Sequence, residues 1–170
     1  MVFKDVIAKR YSCKAFSDQP VEEAQLTAIL EAGRLAPTAK NLQEQRIYVV
    51  RSEAALAKID QETPCRYGAP LVLVVAFDKT QVFTYPGGRY DSGREDATIV
   101  ATHMLLAATD VGLDSCWVNY FDPDRLHDAL GLPPQEEILM ILALGHAAPG
   151  AGPLANHQKR KPCSETVFTL

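Results

Sequence analysis

Two seven-residue apolar runs, Leu71 to Phe77 and Ile138 to Leu144, constrain this chain more than any other feature. The first follows Pro70 and is rich in valine and leucine, which reads as a strand buried on both faces. A sheet is expected to begin there. Neither run approaches the roughly 20 apolar residues needed to cross a bilayer, so no transmembrane helix is expected. The chain has 170 residues, and at roughly 100 to 200 residues per domain this predicts a single domain over 1–170. With 47% hydrophobic and 22% charged residues it lies outside the disordered and coiled-coil ranges.

Around those runs the spacing predicts a mixed chain. A helix is expected over Val21–Ala32, led in by Pro20, burying Leu26, Ile29 and Leu30 and ending at Gly33. Ile47–Val50 reads as a short strand, and Ser52 as the cap of a small helix reaching Asp60. Ser92-Gly93-Arg94-Glu95 has the capping-box form and opens the longest helix, which runs to Val111 and is closed by Gly112. Its Ala97, Val100, Ala101, Met104, Leu105, Ala107 and Ala108 leave little polar circumference, so burial in the domain or against a second subunit is expected. Ser115–Tyr120 and Ile138–Leu144 read as strands flanking a helix capped by Asp122, begun by Pro123 and ended near Gly131. The Pro- and Gly-rich run 147–155 reads as a surface crossing, and Thr166–Leu170 as a last strand, paired at home or with a partner subunit. The fold class is α+β.

Spacing also excludes several chemistries. The histidines form no His-Glu-x-x-His, and the four cysteines no Cys-x-x-Cys, so no metal site is expected. Gly88 to Gly93 lacks the Lys and Ser or Thr of a phosphate loop, and no Gly-x-Gly-x-x-Gly or Gly-x-Ser-x-Gly occurs. A net charge of −4, from 17 basic and 21 acidic residues, argues against nucleic acid as partner. Met1 to Asp5 shows no basic region followed by an apolar stretch, so a cytoplasmic location with reduced thiols is expected. Against this acidic background Lys9, Arg10 and Lys14 crowd one end of the chain, and Lys159, Arg160 and Lys161 the other. They are either solvated faces or two halves of one anion site.

Lys9-Arg10-Tyr11-Ser12-Cys13-Lys14-Ala15-Phe16 resembles the opening motif of the FMN-dependent nitroreductase family, in its form Lys-Arg-His-Ser-x-Lys-Ala-Phe. Ala36-Pro37-Thr38-Ala39-Lys40-Asn41-Leu42-Gln43 is similar to the family's Ala-Pro-Ser-x-x-Asn-x-Gln segment. Gly112-Leu113-Asp114-Ser115, Phe121-Asp122, Leu144-Gly145-His146 and Arg160-Lys161-Pro162 extend the likeness over essentially the whole chain. The resemblance implies a central, mainly antiparallel sheet flanked by helices, in a homodimer with FMN at the subunit interface.

By that resemblance Arg10 and Ser12, with Tyr11 between them, would meet the phosphate and ribityl chain, Arg160 would close on the phosphate, and Lys14 would meet the N1 edge of the flavin ring; Gln158 stands where one branch carries a Lys, and Lys159 either compensates or faces solvent. Pro37, Thr38, Ala39, Asn41 and Gln43 would come from the partner, with Cys116, Trp117, Val118 and Gly145 around the ring. The backbone of Asn119 and Tyr120 would lie near N5, and no side chain would be catalytic. The implied activity passes hydride from NADH or NADPH through the flavin to a nitroaromatic, quinone or similar conjugated electrophile. The alternative is a flavin-binding or flavin-processing protein without NAD(P)H-driven reduction; a third is a cofactor-free interaction domain. Trp117 and Val118 could instead be plain core, and Cys13 and Cys116 read as small packing residues. Other departures are that Glu44 and Gln45 occupy the places of Pro and Trp in many members, and that the segment between Lys79 and Gly93 is short, which implies a shorter lid. Phe83, Tyr85 and Tyr90 in it could stack on a substrate or seal the loop.

Overall fold

A computed structural model describes residues 2–170. Four strands form one wholly antiparallel sheet: β1 (Gln45–Val50), β2 (Leu71–Asp78), β3 (Asp114–Val118) and β4 (Glu136–Gly145), in the order β1-β2-β4-β3. The helices are α1 (Phe3–Lys9), α2 (Glu23–Arg34), α3 (Glu53–Glu62), α4 (Gly93–Asp110) and α5 (Pro123–Leu130). Every residue of β2 is buried because the sheet is covered on both sides. Leu71, Leu73, Val75 and Phe77 pack with α2 and α4, whereas Val72, Val74 and Ala76 pack with Ile59 of α3 and Leu126 of α5.

That alternation breaks in one place. Val75 pairs with Met140 and Ala76 with Ile138, so Leu139 is an extra residue in β4. The bulge reverses the parity of β4: Ile138 joins the α3/α5 face, while Met140, two residues on, faces α2 and α4. The bulge carbonyl is not wasted, for Asn119 Nδ2 donates to it at 2.9 Å.

Several element ends depart from the local sequence expectation. Gly33 lies inside α2 rather than ending it, since a Cβ there would come within 2.8 Å of Met104 Cγ and the two helices could not meet. Ser92 does not cap α4 with its side chain. Asp91 Oδ1 takes the Gly93 N–H at 3.0 Å, and Tyr85 hydroxyl donates to Glu95, so neither half of the expected box is made. By contrast Asp122 caps α5 with bonds from Asp124 and Arg125 N–H, and Gly131 ends it at φ 68°. Thr166–Leu170 forms no strand; it follows a single 3-10 turn at Cys163–Glu165 and leaves Val167, Phe168 and Leu170 exposed. Its β-branched and aromatic residues carry strand propensity, but no sheet edge lies along them.

Candidate active site

β3 is an edge strand, and the N-terminal segment 10–17 covers its open edge. Ser12 bridges Ser115 in parallel fashion, and Cys13 N–H donates to Ser115 O at 2.9 Å. Farther on, Phe16 N–H donates to Tyr67 O, Ser17 N–H to His146 O and Ala148 N–H to Ala15 O. The strap is therefore fastened by backbone to three different parts of the fold. Ala147, which Phe16 of the strap bridges, is held to β3 in turn by donating its N–H to the Asp114 carboxylate at 3.0 Å.

Beside the strap opens a cleft of about 450 Å³, lined by Ser12, Lys14, Cys65, Tyr67, Cys116, Trp117, Val118, Asn119 and Tyr120. Its volume suits a small-molecule or cofactor site. Lys14 Nζ donates to Tyr67 hydroxyl at 3.2 Å and sits 5.2 Å from the centre of that ring. The bond to Tyr67 is the main cause raising the Lys14 ammonium above the ordinary lysine range, so a fixed cation faces the cleft. Trp117 Nε1 donates to Asn119 Oδ1, which links the indole through Asn119 to the β4 bulge. Tyr120 stands exposed at the rim. Burial pushes the Cys116 thiol up to about 11, which leaves it protonated and inert at neutral pH.

Cys65 and Tyr67 had no assigned role in the sequence. Thr63 Oγ1 accepts from Cys65 N–H, Arg66 holds Asp60 with two bonds at 2.7 and 2.6 Å, and Tyr67 takes a left-handed φ of 56° before Gly68. The bond with Cys65, then burial, raises the Tyr67 hydroxyl above its usual range. The available signal was a Thr-Pro-Cys-Arg-Tyr-Gly turn, whose aromatic residue sits where only a tertiary demand explains the backbone.

A smaller cavity of about 90 Å³ adjoins the strap, lined by Lys9, Arg10, Tyr11, Thr109, Gly112, Leu113, Asp114 and Ser115. Ser115 Oγ is buried there with no hydrogen-bond partner among the described residues. Burial, and secondly the Asp114 carboxylate, push the Tyr11 hydroxyl up. The tail returns to this end of the molecule, with the His157 ring 6.4 Å from that of Tyr11, edge to face. Arg160 donates to His157 O at 2.5 Å and Lys159 O at 2.8 Å, so its guanidinium lies on the tail's own backbone. The two basic ends of the chain thus approach each other, while Lys159 and Arg160 line neither cavity.

Pro37, Thr38, Ala39, Asn41 and Gln43 do not line the cleft either. They form a separate loop at the N-terminus of α4, where Ala39 N–H donates to Asp96. Lys40, Asn41 and Gln43 are all left-handed, with φ of 52°, 56° and 56°. Gly145 pairs with Asp114 and packs on Pro70 and Phe16, within the sheet rather than on the cleft wall. Of the lid aromatics, Phe83 lies beneath Lys40 Nζ at 4.2 Å and 5.7 Å from Tyr85, and Tyr90 is exposed beside Arg89. Phe83 and Tyr85 therefore touch each other and, through Lys40 and Glu95, the 38–43 loop and α4.

The model of the nitroreductase family matches residues 7–65 and 62–146. The chain belongs to that family. A nitroreductase family protein from Clostridium difficile 630 shares 37% identity over the whole of both chains, with a TM-score of 0.91. An NADH dehydrogenase from Thermus thermophilus is 30% identical over 85% of this chain and 86% of its own length. An FMN-dependent nitroreductase from Clostridium difficile R20291 is 28% identical, with a TM-score of 0.71 over 84% of this chain and 86% of that one. The four-stranded antiparallel sheet between helices is the α+β nitroreductase fold. Among the described residues no helix is long and apolar enough to cross a membrane, and no cluster of three metal-ligating side chains occurs.

Proposed function

We propose that this chain is an FMN oxidoreductase that draws electrons from NADH or NADPH and delivers them to a nitroaromatic, quinone or similar conjugated electrophile. Membership of the nitroreductase family makes it an NAD(P)H-dependent oxidoreductase. The observation carrying the cofactor assignment is the Lys14 ammonium, held by Tyr67 at the wall of a cleft between Ser12 and the strand residues Cys116–Val118.

The residues present fit FMN. A phosphate wants cations and hydroxyls, and the cavity beside the strap has Lys9 and Arg10 at its wall and the unpartnered Ser115 Oγ inside it. A planar conjugated ring wants flat apolar walls and, where its electron-rich edge lies, a positive charge; Val118, Trp117 and Lys14 supply these. FMN, when bound, supplies the two-electron chemistry of hydride acceptance and donation.

The chain's own part is binding and orientation. Arg10 and Ser12 would hold the phosphate end, and Lys14 would stabilise negative charge at the ring. Asn119 would fix the Trp117 indole, and Tyr120 at the rim would meet the second substrate. Arg160 would turn from its own backbone onto the phosphate, the tail already being anchored at Tyr11 by His157. A homodimer would bring the loop at Pro37, Thr38, Ala39, Asn41 and Gln43 to the partner's cleft. A mostly apolar hollow of about 410 Å³, lined by Phe3, Val6, Ala32, Leu35, Leu106 and Ala107 with His103 and Asp110 among them, offers surface for a second copy. The protein acts in the cytoplasm, where NADH and NADPH are supplied.

The test is the visible spectrum of the purified protein, followed by NADH or NADPH under nitrogen, then menadione or nitrofurazone. Flavin bands that bleach with a nicotinamide and return with the acceptor are expected. Bands that bleach with neither donor would leave a flavin-binding protein, and a colourless protein refusing added FMN would refute the cofactor.

A further inference from the structure

The buried polar groups that the cleft does not use gather at the N-terminus of α4. Glu44 is fully buried; its Oε1 accepts from Ser92 Oγ at 3.2 Å, and its Oε2 has no hydrogen-bond partner among the described residues. One helical turn from Ser92, whose carbonyl takes its N–H at 2.8 Å, Asp96 is also buried and accepts from Ala39 N–H with both oxygens, at 3.1 and 3.0 Å. Ser92 Oγ in turn accepts from Phe83 N–H at 3.1 Å. Through these few bonds α4 ties together two loops of distant sequence: 38–43, with its three left-handed residues, and the lid 83–92.

Two neighbouring buried carboxylates repel each other and lose hydration, and a single proton relieves both costs. The bonding pattern says where it goes. Both Asp96 oxygens already receive Ala39 N–H, and Glu44 Oε1 already receives Ser92, so the unfilled place is Glu44 Oε2. Burial, and after it the proximity of Asp96, holds the Glu44 carboxyl above the usual range. Surrounding charges are engaged elsewhere. From β1, Arg46 donates to the Glu44 carbonyl and pairs with Asp78 and Glu136; from the loop, Lys40 lies on Phe83; from α4, Arg94 pairs with Glu137 and Glu95 takes the Tyr85 hydroxyl. On the lid Asp91 caps Gly93, and from β2 Asp78 N–H meets only the Glu44 backbone carbonyl.

We propose that Glu44 and Asp96 share one proton, carried on Glu44 Oε2, and that this proton clasps the 38–43 loop to the 83–92 lid. Glu44 is then a positioning residue, and losing the proton as pH rises loosens both loops together. The clasp stands on the buried cluster of Glu44, Ser92 and Asp96, with the raised Glu44 carboxyl in support; its effect on turnover rests on the reading above, in which the loop completes a partner's site.

The experiment compares wild type with Glu44→Gln, whose amide reproduces the protonated acid by donating to Asp96 while still accepting from Ser92. Hydrogen exchange at Ala39 and Phe83 is followed from the ordinary carboxylate range upward to alkaline pH and corrected for intrinsic rates. Wild type is expected to lose protection, by up to about tenfold per pH unit above the Glu44 midpoint, while E44Q stays flat at the low-pH wild-type level. Infrared spectra of wild type are expected to contain a protonated-carboxyl band that persists above the ordinary carboxylate range, is lost as pH rises further, and is missing from E44Q. Equal pH dependence in the two proteins, or wild type without that band, overturns the clasp. Should E44Q fail to fold, the wild-type infrared titration decides alone. In turnover, the KM for menadione should rise with pH in wild type and not in E44Q, with kcat following less. A flat KM beside the expected exchange result would indict the loop's assigned place in the site and leave the clasp intact.

Discussion

The strap 10–17 and the loop 37–44 both carry motif residues, yet they are held by opposite means. The strap is bonded through main chain to Ser115, Tyr67 and His146 and buries Cys13 and Phe16 in the core, which leaves Ser12 and Lys14 free to face the cleft. The loop holds three non-glycine residues in the left-handed region and is tied down by buried carboxyls and a hydroxyl. Main-chain fastening leaves side chains free to serve a ligand, whereas side-chain fastening makes the loop's shape depend on single residues and on pH. The sharpest break of this contrast is Asp96→Ala, which takes the acceptor from Ala39 N–H and strands Glu44. We expect ~2–4 kcal/mol of stability to be lost in urea unfolding. A loss as small as a surface substitution causes would show the loop to be held some other way.

The contrast also sets a pH signature. Glu44 binds its proton more tightly folded than unfolded, so the folded state carries more protons between the ordinary glutamate midpoint, about 4.3, and the raised folded one. Stability therefore falls as pH rises through that window, by at most ~1.4 kcal/mol per pH unit, and is fully present only below it. Urea midpoints of wild type and E44Q should diverge with rising pH, in favour of E44Q. Converging curves would place the proton elsewhere.

What could be read from the sequence follows the same division. β2 and α5 were legible because apolar continuity, Asp122, Pro123 and Gly131 act within a few residues of themselves. The Ser92 capping box was misread because its hydroxyl is claimed by Glu44, 48 positions away, and Gly33 because its reason is Met104. Motif residues that share the cleft were found where they form it with one strand, as with Ser12, Lys14 and Cys116–Tyr120. Cys65 and Tyr67 were missed because a left-handed turn held by Arg66 and Asp60 brings them in from an unremarked loop. The Leu139 bulge that receives Asn119 is likewise a matter of pairing register, which local pattern does not state.

Within the cleft, Lys14→Met should lower the reduction potential of bound FMN. Each ~1.4 kcal/mol of lost attraction corresponds to about 30 mV for a two-electron couple, and a shift of that order is expected by dye equilibration. Tyr67→Phe should move the potential the same way by less, because the ammonium loses one hydrogen bond but keeps the ring beneath it. An unchanged potential in Lys14→Met would detach that cation from the flavin.

The smallest expected change in stability is the most telling for the strap. Ser12 joins β3 through its backbone, and Ser12→Ala leaves the Ser115 bridge and the Cys13 bond to Ser115 untouched. Unfolding free energy should stay within about 0.5 kcal/mol of wild type. FMN affinity, measured by quenching of flavin fluorescence, should fall by roughly tenfold, the worth of one hydrogen bond to a charged phosphate. A loss of stability comparable to Asp96→Ala would erase the distinction between the two fastenings. Unchanged affinity would keep that distinction and move the phosphate away from Ser12, toward Arg10 and the unpartnered Ser115 hydroxyl in the neighbouring cavity.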